Sequence, residues 1–348
     1  MESRKLARNL KAGMIGAGSS ATNIAATIAT IENLSLVAIA DKNIDAAKKI
    51  AAGHDSKIVS DDYKDVCDDE SVDFVIISVP HGLHHEITMY ALKHGKHVLV
   101  EKPIATKIED AEEMIDTARK KNLKLGVHFQ CRFFDAVQEA KKLIDGGKLG
   151  KILQANVSVM WYRDDDYYQK SGWRGTWVLE GGGSLINQAI HPVDEMVHLV
   201  GSVKTLFGLW DHAIHDIEVD DLTAAAFQFE NGAFGTLQTS TATKAAFPAK
   251  LTIFGSEGAI QIDGNILTIH DADGKEKVID YAAKHGGQVG SAKDPSKFSL
   301  LAHGRMMMDF CNAIIEDREP VVNGEAALES LKVVRAVYES NGEKIITL

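Results

Sequence analysis

Three stretches of this 348-residue chain carry residue types whose spacing suits chemistry. The first is Met14-Ile15-Gly16-Ala17-Gly18-Ser19-Ser20-Ala21, a G-x-G-x-x-A pattern between an apolar run and a helical one. In such a turn Gly16 allows the tight bend, Gly18 lets the backbone approach a pyrophosphate, and Ala21 lets helix and strand pack closely. The helix that this pattern opens offers, behind Ser19 and Ser20, unpaired N–H groups and a partial positive charge to that phosphate. Asp41 ends the next apolar run, near the ~20-residue offset of a ribose-binding acid. A carboxylate there accepts from ribose hydroxyls and repels a 2′-phosphate, so the two features together predict a dinucleotide, NAD in preference to NADP. Lys42, next in line, softens that preference. A glycine turn with no nucleotide is the alternative, and Asp41 weighs against it.

The second stretch is His97-Val98-Leu99-Val100-Glu101-Lys102-Pro103, a strand-length run ending in a charged pair and a proline. Ligands bind beyond the carboxyl ends of parallel strands, where Glu101 and Lys102 fall. A lysine there can share a substrate hydroxyl proton while hydride moves to or from nicotinamide. It needs its pKa brought nearer neutral by desolvation or by neighbouring positive charge. A surface ion pair is the plainer alternative. The third stretch runs from Glu180 through Gly181-Gly182-Gly183 to Asp194. Asn187 and His191 are spaced i, i+4 on one face of an apolar helical pattern. Pro192 cannot donate to the Gln188 carbonyl, so the helix should kink or restart near His191. By spacing alone, His191 can equally be a satisfied core histidine.

Other clusters bear on the same chemistry. Trp161 to Trp177 holds Trp173-Arg174 with Tyr162, Arg163, Tyr167, Tyr168 and three aspartates. Tryptophan can cover an apolar sugar face and arginine can hold a phosphate or hydroxyls; a solvated loop with a few packed aromatics is the alternative. Gln130 and Arg132 face either a cleft or a domain-boundary hydrogen bond. His81, His84, His85 and Glu86 have metal-ligating types, but they open a helix after Pro80, where the cofactor is expected, so no metal is predicted. Met306-Met307-Met308 reads as core packing. Nothing in the spacing decides whether His303 faces the site.

Elements must position these residues. Strand patterns end at Gly13–Ile15 and cover Leu36–Ala40, Phe74–Val79, His97–Val100 and Leu123–Phe129. Helical patterns at Ala21–Ile31, Ile44–Ala52, Leu83–His94 and Ile108–Lys121 alternate with them. The alternation predicts an α/β fold, a parallel-sheet Rossmann domain over residues 1–125. From 126 to 348 the expectation is an α/β domain with a largely antiparallel open sheet. Its strands are Ile152–Trp161, Thr205–Ile214, Leu222–Phe229, Ala233–Thr241 and Leu251–Phe254. Turns fall at Glu230-Asn231-Gly232, Asp263-Gly264 and Asp273-Gly274. Ala136–Ile144, Leu300–Ile315 and Ala326–Tyr338 are its helical patterns.

Composition limits the function classes. With 45% hydrophobic and 25% charged residues the chain is globular. A formal charge of -11 disfavours nucleic acid and anionic membranes as partners. Three scattered cysteines fit a reducing compartment. The basic N-terminus precedes no apolar stretch, and no run approaches the ~18 apolar residues of a membrane span. The expected location is the cytoplasm.

GAGSSA, Asp41, VPHGLHHE, GKHVLVEKP and GGGSLINQAIHPVDEM, in this order, closely resemble the Gfo/Idh/MocA family, the glucose–fructose oxidoreductase and inositol dehydrogenase group. The resemblance covers nearly the whole chain, including Asp309-Phe310 through Pro320 to Tyr338-Glu339-Ser340. It implies a Rossmann domain and a second domain whose open sheet forms a homo-oligomer interface, dimeric or tetrameric. It implies hydride transfer between NAD and a secondary alcohol carbon of a sugar, sugar derivative or cyclitol. Lys102 and His191 match the family's catalytic lysine and histidine. Pro80, His84, Glu101, Trp173 and Arg174 match positions near cofactor or substrate. Asn187 stands where inositol-type members carry aspartate. Asparagine can orient His191 or bond a hydroxyl, but it brings no negative charge, so Lys102 becomes the principal acid–base group. Some sugar-nucleotide 3-dehydrogenases of the family look similar here. The alternatives are an NAD-binding sensor without turnover and a redox-neutral sugar-processing enzyme that recycles its NAD.

Overall fold

The run Phe74-Val75-Ile76-Ile77 is buried at every residue, as a strand covered on both faces must be. In the computed structural model, which describes residues 4–285 and 300–348, this run is β4 of a six-stranded sheet. The strands are β1 (Lys5–Ile15), β2 (Glu32–Ala40), β3 (Ile58–Ser60), β4 (Phe74–Ile77), β5 (His97–Val100) and β6 (Leu125–Val127), in the order β3-β2-β1-β4-β5-β6. All its pairings are parallel. The order reverses between β1 and β4, the switch point beyond which ligands bind in such sheets.

β1 is longer than its apolar end at Gly13–Ile15 predicts. It begins at Lys5, pairs Lys5 with Glu32 of β2 and buries Leu6 and Leu10. The exposed Ala7-Arg8-Asn9 between those leucines hides the strand in the sequence.

The chain divides into two compact units. One comprises Met1–Gln130 with Leu300–Leu328, the other Cys131–Ser299 with Glu329–Leu348. Where sequence patterns place a single boundary at 125, the division falls after Gln130 and residues 300–328 return to the first unit. Packing explains the return. Helix Leu300–Glu316 buries Ala302, Met306, Met307, Phe310, Ala313 and Ile314. Phe310 meets Phe74 edge-on at 5.5 Å, and it sits so close over Gly126 that a Cβ there would lie 2.6 Å from the ring.

The second unit holds a nine-stranded sheet. Its strands are β7 (Ile152–Met160), β8 (Val203–Asp211), β9 (Leu222–Phe229), β10 (Phe234–Ser240), β11 (Lys250–Gly255), β12 (Gly258–Asp263), β13 (Ile266–Asp271), β14 (Glu276–Asp280) and β15 (Ile346–Thr347). The order is β14-β13-β12-β11-β7-β10-β9-β8-β15. Only β7 and β10 pair in parallel. The three expected turns all join antiparallel neighbours; Gly232, Gly264 and Gly274 have positive φ. β8 stops short of the expected Ile214 because the chain wraps around a carboxylate: Ala213, Ile214 and His215 each donate their N–H to Asp221. Helix Ile190–Val200 covers β7 and β11 on the sheet's inner face. The opposite face exposes Phe207, Leu209, Leu222, Phe234 and Phe254.

Candidate active site

In the first unit the glycine turn is built as its pattern requires. Gly16 has φ +100°, and a Cβ on it would lie 2.0 Å from the Ser78 carbonyl oxygen beyond β4. Any side chain at 16 therefore meets both a strained backbone and a collision. Gly18 precedes helix Ser19–Ile28 with no side-chain cap, and nothing lies within 4 Å of a Cβ built on it. Helices Ile44–Ala51 and Tyr63–Asp68 are capped by Asn43 and Asp62. An uncapped helix start beside open space fits a pyrophosphate. Ala21 is fully buried. Asp41 binds the turn itself: Oδ2 accepts from the Ala17 N–H at 2.6 Å and Oδ1 from Asn43 at 2.7 Å. Each carboxylate oxygen retains a lone pair for a ribose hydroxyl. Lys42 is exposed.

The turn is tied to the end of β5. The Ser20 hydroxyl donates to Glu101 Oε1 at 2.5 Å, His128 Nδ1 donates to the same oxygen at 2.7 Å, and the Lys102 N–H reaches Oε2 at 3.2 Å. Burial works against the Glu101 charge, yet His128, the hydrogen bonds from His128 and Ser20, and the Lys102 charge hold its carboxyl well below the usual range. Behind this, His128 Nε2 meets His303 Nδ1 at 3.1 Å. Burial, then the His128 ring, lowers the His303 pKa to about 3, so His303 is neutral. The chain Ser20–Glu101–His128–His303 thus runs from the turn into the core and fixes the backbone from which Lys102 projects. The Lys102–Pro103 peptide is cis. His84 is fully buried, its ring nitrogens 2.7 Å from the Pro103 oxygen and 3.0 Å from the Val79 oxygen. It pins the segments after β4 and β5 together, with Pro80 between Val79 and the following helix. His85 pairs instead with Glu113. Among the described residues no group of His, Cys, Asp or Glu converges in metal-binding geometry.

In the second unit the triple glycine has a packing cause. Gly182 has φ +146°, and a Cβ there would lie 2.2 Å from the Tyr338 oxygen; on Gly183 it would lie 2.0 Å from the Asp220 carbonyl oxygen. The fully buried Asp220 carboxylate accepts from the Gly183 and Leu185 N–H groups and from Ser184, Thr223 and Tyr338 hydroxyls, at 2.6–2.9 Å. It anchors a π-helical turn, Ser184–Ala189, which gives way to helix Ile190–Val200. This is the restart that Pro192 predicts. The wider i→i+5 bonding of the π turn replaces the regular α spacing assumed for Asn187 and His191. Asn187 is buried and His191 half-buried.

Asn187 joins a polar network. Its Nδ2 donates to Glu180 Oε1 at 2.5 Å and to the Tyr167 oxygen at 3.3 Å. Gln188 Nε2 donates to the same phenol at 2.7 Å, and Arg163 holds Gln188 Oε1 at 2.8 Å. Glu180 also accepts from the Gly175 N–H. Burial raises the Glu180 pKa to about 7 against the hydrogen bonds from Gly175 and Asn187. Arg174 lies over the Tyr167 ring at 4.1 Å and the Trp173 ring at 4.9 Å.

Sequence patterns single out neither Asp220, Glu180, His128 nor Tyr338 as site-building residues. Glu180 leads the glycine triplet and is the one such residue a local signal marks. Arg132 is structural within its unit: it forks onto the buried Asp194 with two 2.7 Å bonds, joined by the Ser330 hydroxyl.

Comparison with known proteins bears on both units. Residues 10–129 match the family model described as the Gfo/Idh/MocA oxidoreductase family, NAD-binding Rossmann fold. Residues 137–261 match the Gfo/Idh/MocA C-terminal domain. The chain is 31% identical over 266 residues to the D-glucoside 3-dehydrogenase of Escherichia coli strain K12, covering 70% of this chain and 73% of that protein. It is 26% identical over 313 residues to the 2,7-anhydro-N-acetylneuraminate hydratase of Mediterraneibacter gnavus, covering 79% and 80%. Among solved structures, the WlbA dehydrogenase from Bordetella pertussis in complex with NADH and UDP-GlcNAcA superposes with a TM-score of 0.86 at 27% identity, covering 98% of both chains.

Proposed function

The chain belongs to the Gfo/Idh/MocA oxidoreductase family, and from that premise we propose that this NAD-dependent oxidoreductase moves hydride between nicotinamide and a secondary alcohol carbon of a sugar, sugar derivative or cyclitol. The observation that carries the reading is the Ser20–Glu101 hydrogen bond, which ties the phosphate-type turn to the strand end bearing Lys102. The substrate class follows the names of the D-glucoside and UDP-sugar relatives. Bound NAD supplies the hydride acceptor. Gly16, Gly18, Ser19, Ser20 and Ala21 form its pyrophosphate turn. Asp41 takes the ribose hydroxyls and favours NAD over NADP, with Lys42 exposed beside it. Pro80, His84 and Glu101 shape the edge next to Lys102, and Lys102 takes the hydroxyl proton. His191 and Asn187 orient the reacting oxygen; Trp173 and Arg174 contribute to the same ligands.

The apolar outer face of the nine-stranded sheet supports a homo-oligomer. No helix among the described residues is long and apolar enough to cross a membrane, and the three cysteines are free thiols; both support a cytoplasmic enzyme.

The test is absorbance in the NADH band during incubation of the protein and NAD with glucosides, inositols and UDP-sugars. Appearance of NADH is the expected result, and its absence with every compound contradicts the reading. A redox-neutral enzyme that returns the hydride is the second reading, favoured by similarity to a protein named as a hydratase. It predicts product without accumulated NADH, which mass analysis distinguishes.

A further inference from the structure

We infer that Tyr167 is a specificity-determining residue whose phenol donates a hydrogen bond to an oxygen of the bound sugar or cyclitol. The inference rests on the sugar-handling function proposed above.

The direction of every hydrogen bond around this phenol is fixed by its neighbours. Ionised Glu180 only accepts, so the Asn187 atom facing its Oε1 is the amide nitrogen. Arg163 only donates, so the Gln188 atom facing it is the amide oxygen. Each amide orientation is thereby set by a charged partner. Both then turn an NH2 group toward Tyr167, at 3.3 Å and 2.7 Å. An amide nitrogen cannot accept. The Tyr167 oxygen accepts twice, and its own hydrogen must be directed at something else.

Among the described residues, the surroundings hold the ring while offering that hydrogen no acceptor. Asp164 caps helix Asp165–Gln169 through the Tyr167 N–H at 2.9 Å. Arg174 and Arg163 lie over the ring at 4.1 Å and 5.4 Å, and a guanidinium has no acceptor. Burial pushes the Tyr167 pKa up against the pull of Arg174, so the phenol keeps its hydrogen at neutral pH. Tyr168 is the contrast: it is buried, and its hydroxyl is shared with Thr241 at 2.8 Å. Tyr167 remains partly exposed, so its O–H is a donor held ready beside Asn187. An oxygen-rich ligand supplies the acceptor that the described residues do not.

The test uses the full chain with NADH bound. Methyl β-D-glucoside, myo-inositol and UDP-glucuronic acid are titrated calorimetrically, and turnover is followed on the same samples. Tyr167→Phe keeps the ring and its cation contacts and removes the hydroxyl, so the hydrogen goes together with the oxygen that accepts from Asn187 and Gln188. Gln188→Glu keeps the phenol but sets a carboxylate beside it, still paired to Arg163, which captures the hydrogen. Each substitution should weaken binding of the compound the parent binds by about tenfold. The loss should fall on KM more than on kcat, with NADH affinity unchanged, and the double variant should be no weaker than the singles. Melting temperature should fall in Tyr167→Phe, which strips an acceptor from two buried amides, and stay at the parent's value in Gln188→Glu. The inference is overturned if Tyr167→Phe binds within about twofold of the parent, if Gln188→Glu retains affinity that Tyr167→Phe loses, or if the parent binds none of the three compounds. A parent that binds a sugar, loses it in both variants and transfers no hydride upholds Tyr167 and contradicts the dehydrogenase reading. Hydride transfer with an unaffected Tyr167→Phe does the reverse.

Discussion

The two units build their chemistry in different ways. In the first, the turn at Gly16–Ala21, Asp41 and Glu101-Lys102 follow β1, β2 and β5, so parallel-sheet topology brings them to one edge, where Ser20 and His128 fix Glu101. In the second, Asn187 takes its position from groups distant in sequence: Asp220 anchors the π turn from 37 residues away, and Tyr338 reaches Asp220 across 118. Topology-built sites tolerate the loss of side-chain contacts but not of the turn's backbone freedom. Sites built on buried carboxylates fail when one acceptor is removed, because each donor left behind is buried and unsatisfied.

Breaking that contrast has its largest expected effect at Asp220. Asp220→Ala strips the acceptor from five buried donors and should cost about 4 kcal/mol or more, with Asp220→Asn intermediate; urea unfolding measures it. An Asp220→Ala protein as stable as the parent would mean that the π turn is held otherwise. Gly16→Ala is the counterpart in the first unit. The collision with Ser78 should lower NAD affinity by about two orders of magnitude, read by NADH fluorescence, while changing stability less than Asp220→Ala does. Asp41→Ala should be milder. It should shift the NADP to NAD preference by about tenfold in paired kcat/KM measurements, and an unchanged ratio would remove Asp41 from cofactor choice.

The smallest effect is a difference of sign with pH. His303 has its pKa lowered from 6.5 to about 3, and Glu101 is likewise lowered. Their contributions to stability are present above the ordinary values and are lost as the pH falls toward the folded ones. Glu180 is raised from 4.5 to about 7. Its contribution is present below 4.5 and is lost as the pH rises through about 7. His303→Leu should flatten the acid limb of a stability–pH profile without altering the Glu180 component, and an unchanged acid limb would show that His303 does not contribute to it.

The same contrast governs what was legible in the sequence. Gly16, Gly18 and Asp41 were readable because a tight turn and a ribose-binding acid make local demands at nearly fixed spacing. The π-turn restart was readable from Pro192. Asp220 was not: it sits in an unremarkable EVDD stretch, and its role depends on a fold that brings Gly183 against its carbonyl. His128 and His303 lie 175 residues apart and meet only because helix Leu300–Glu316 returns to the first sheet. The strand from Lys5 was obscured by charge and by an irregular register, since the exposed positions of Lys5, Arg8 and Lys11 in β1 accept basic side chains at little cost. Asn187 looked like a lost acid; in the structure the nearby carboxylate is Glu180, bonded directly to it.

Proton transfer at Lys102 can be separated from cofactor binding by one variant. Lys102→Met keeps much of the side chain's length and removes its proton chemistry. With a sugar that the parent oxidises, kcat should fall by about 10³-fold, while NADH affinity stays within about threefold. Turnover within about tenfold of the parent, at full NADH affinity, would contradict Lys102 as the group that takes the substrate proton.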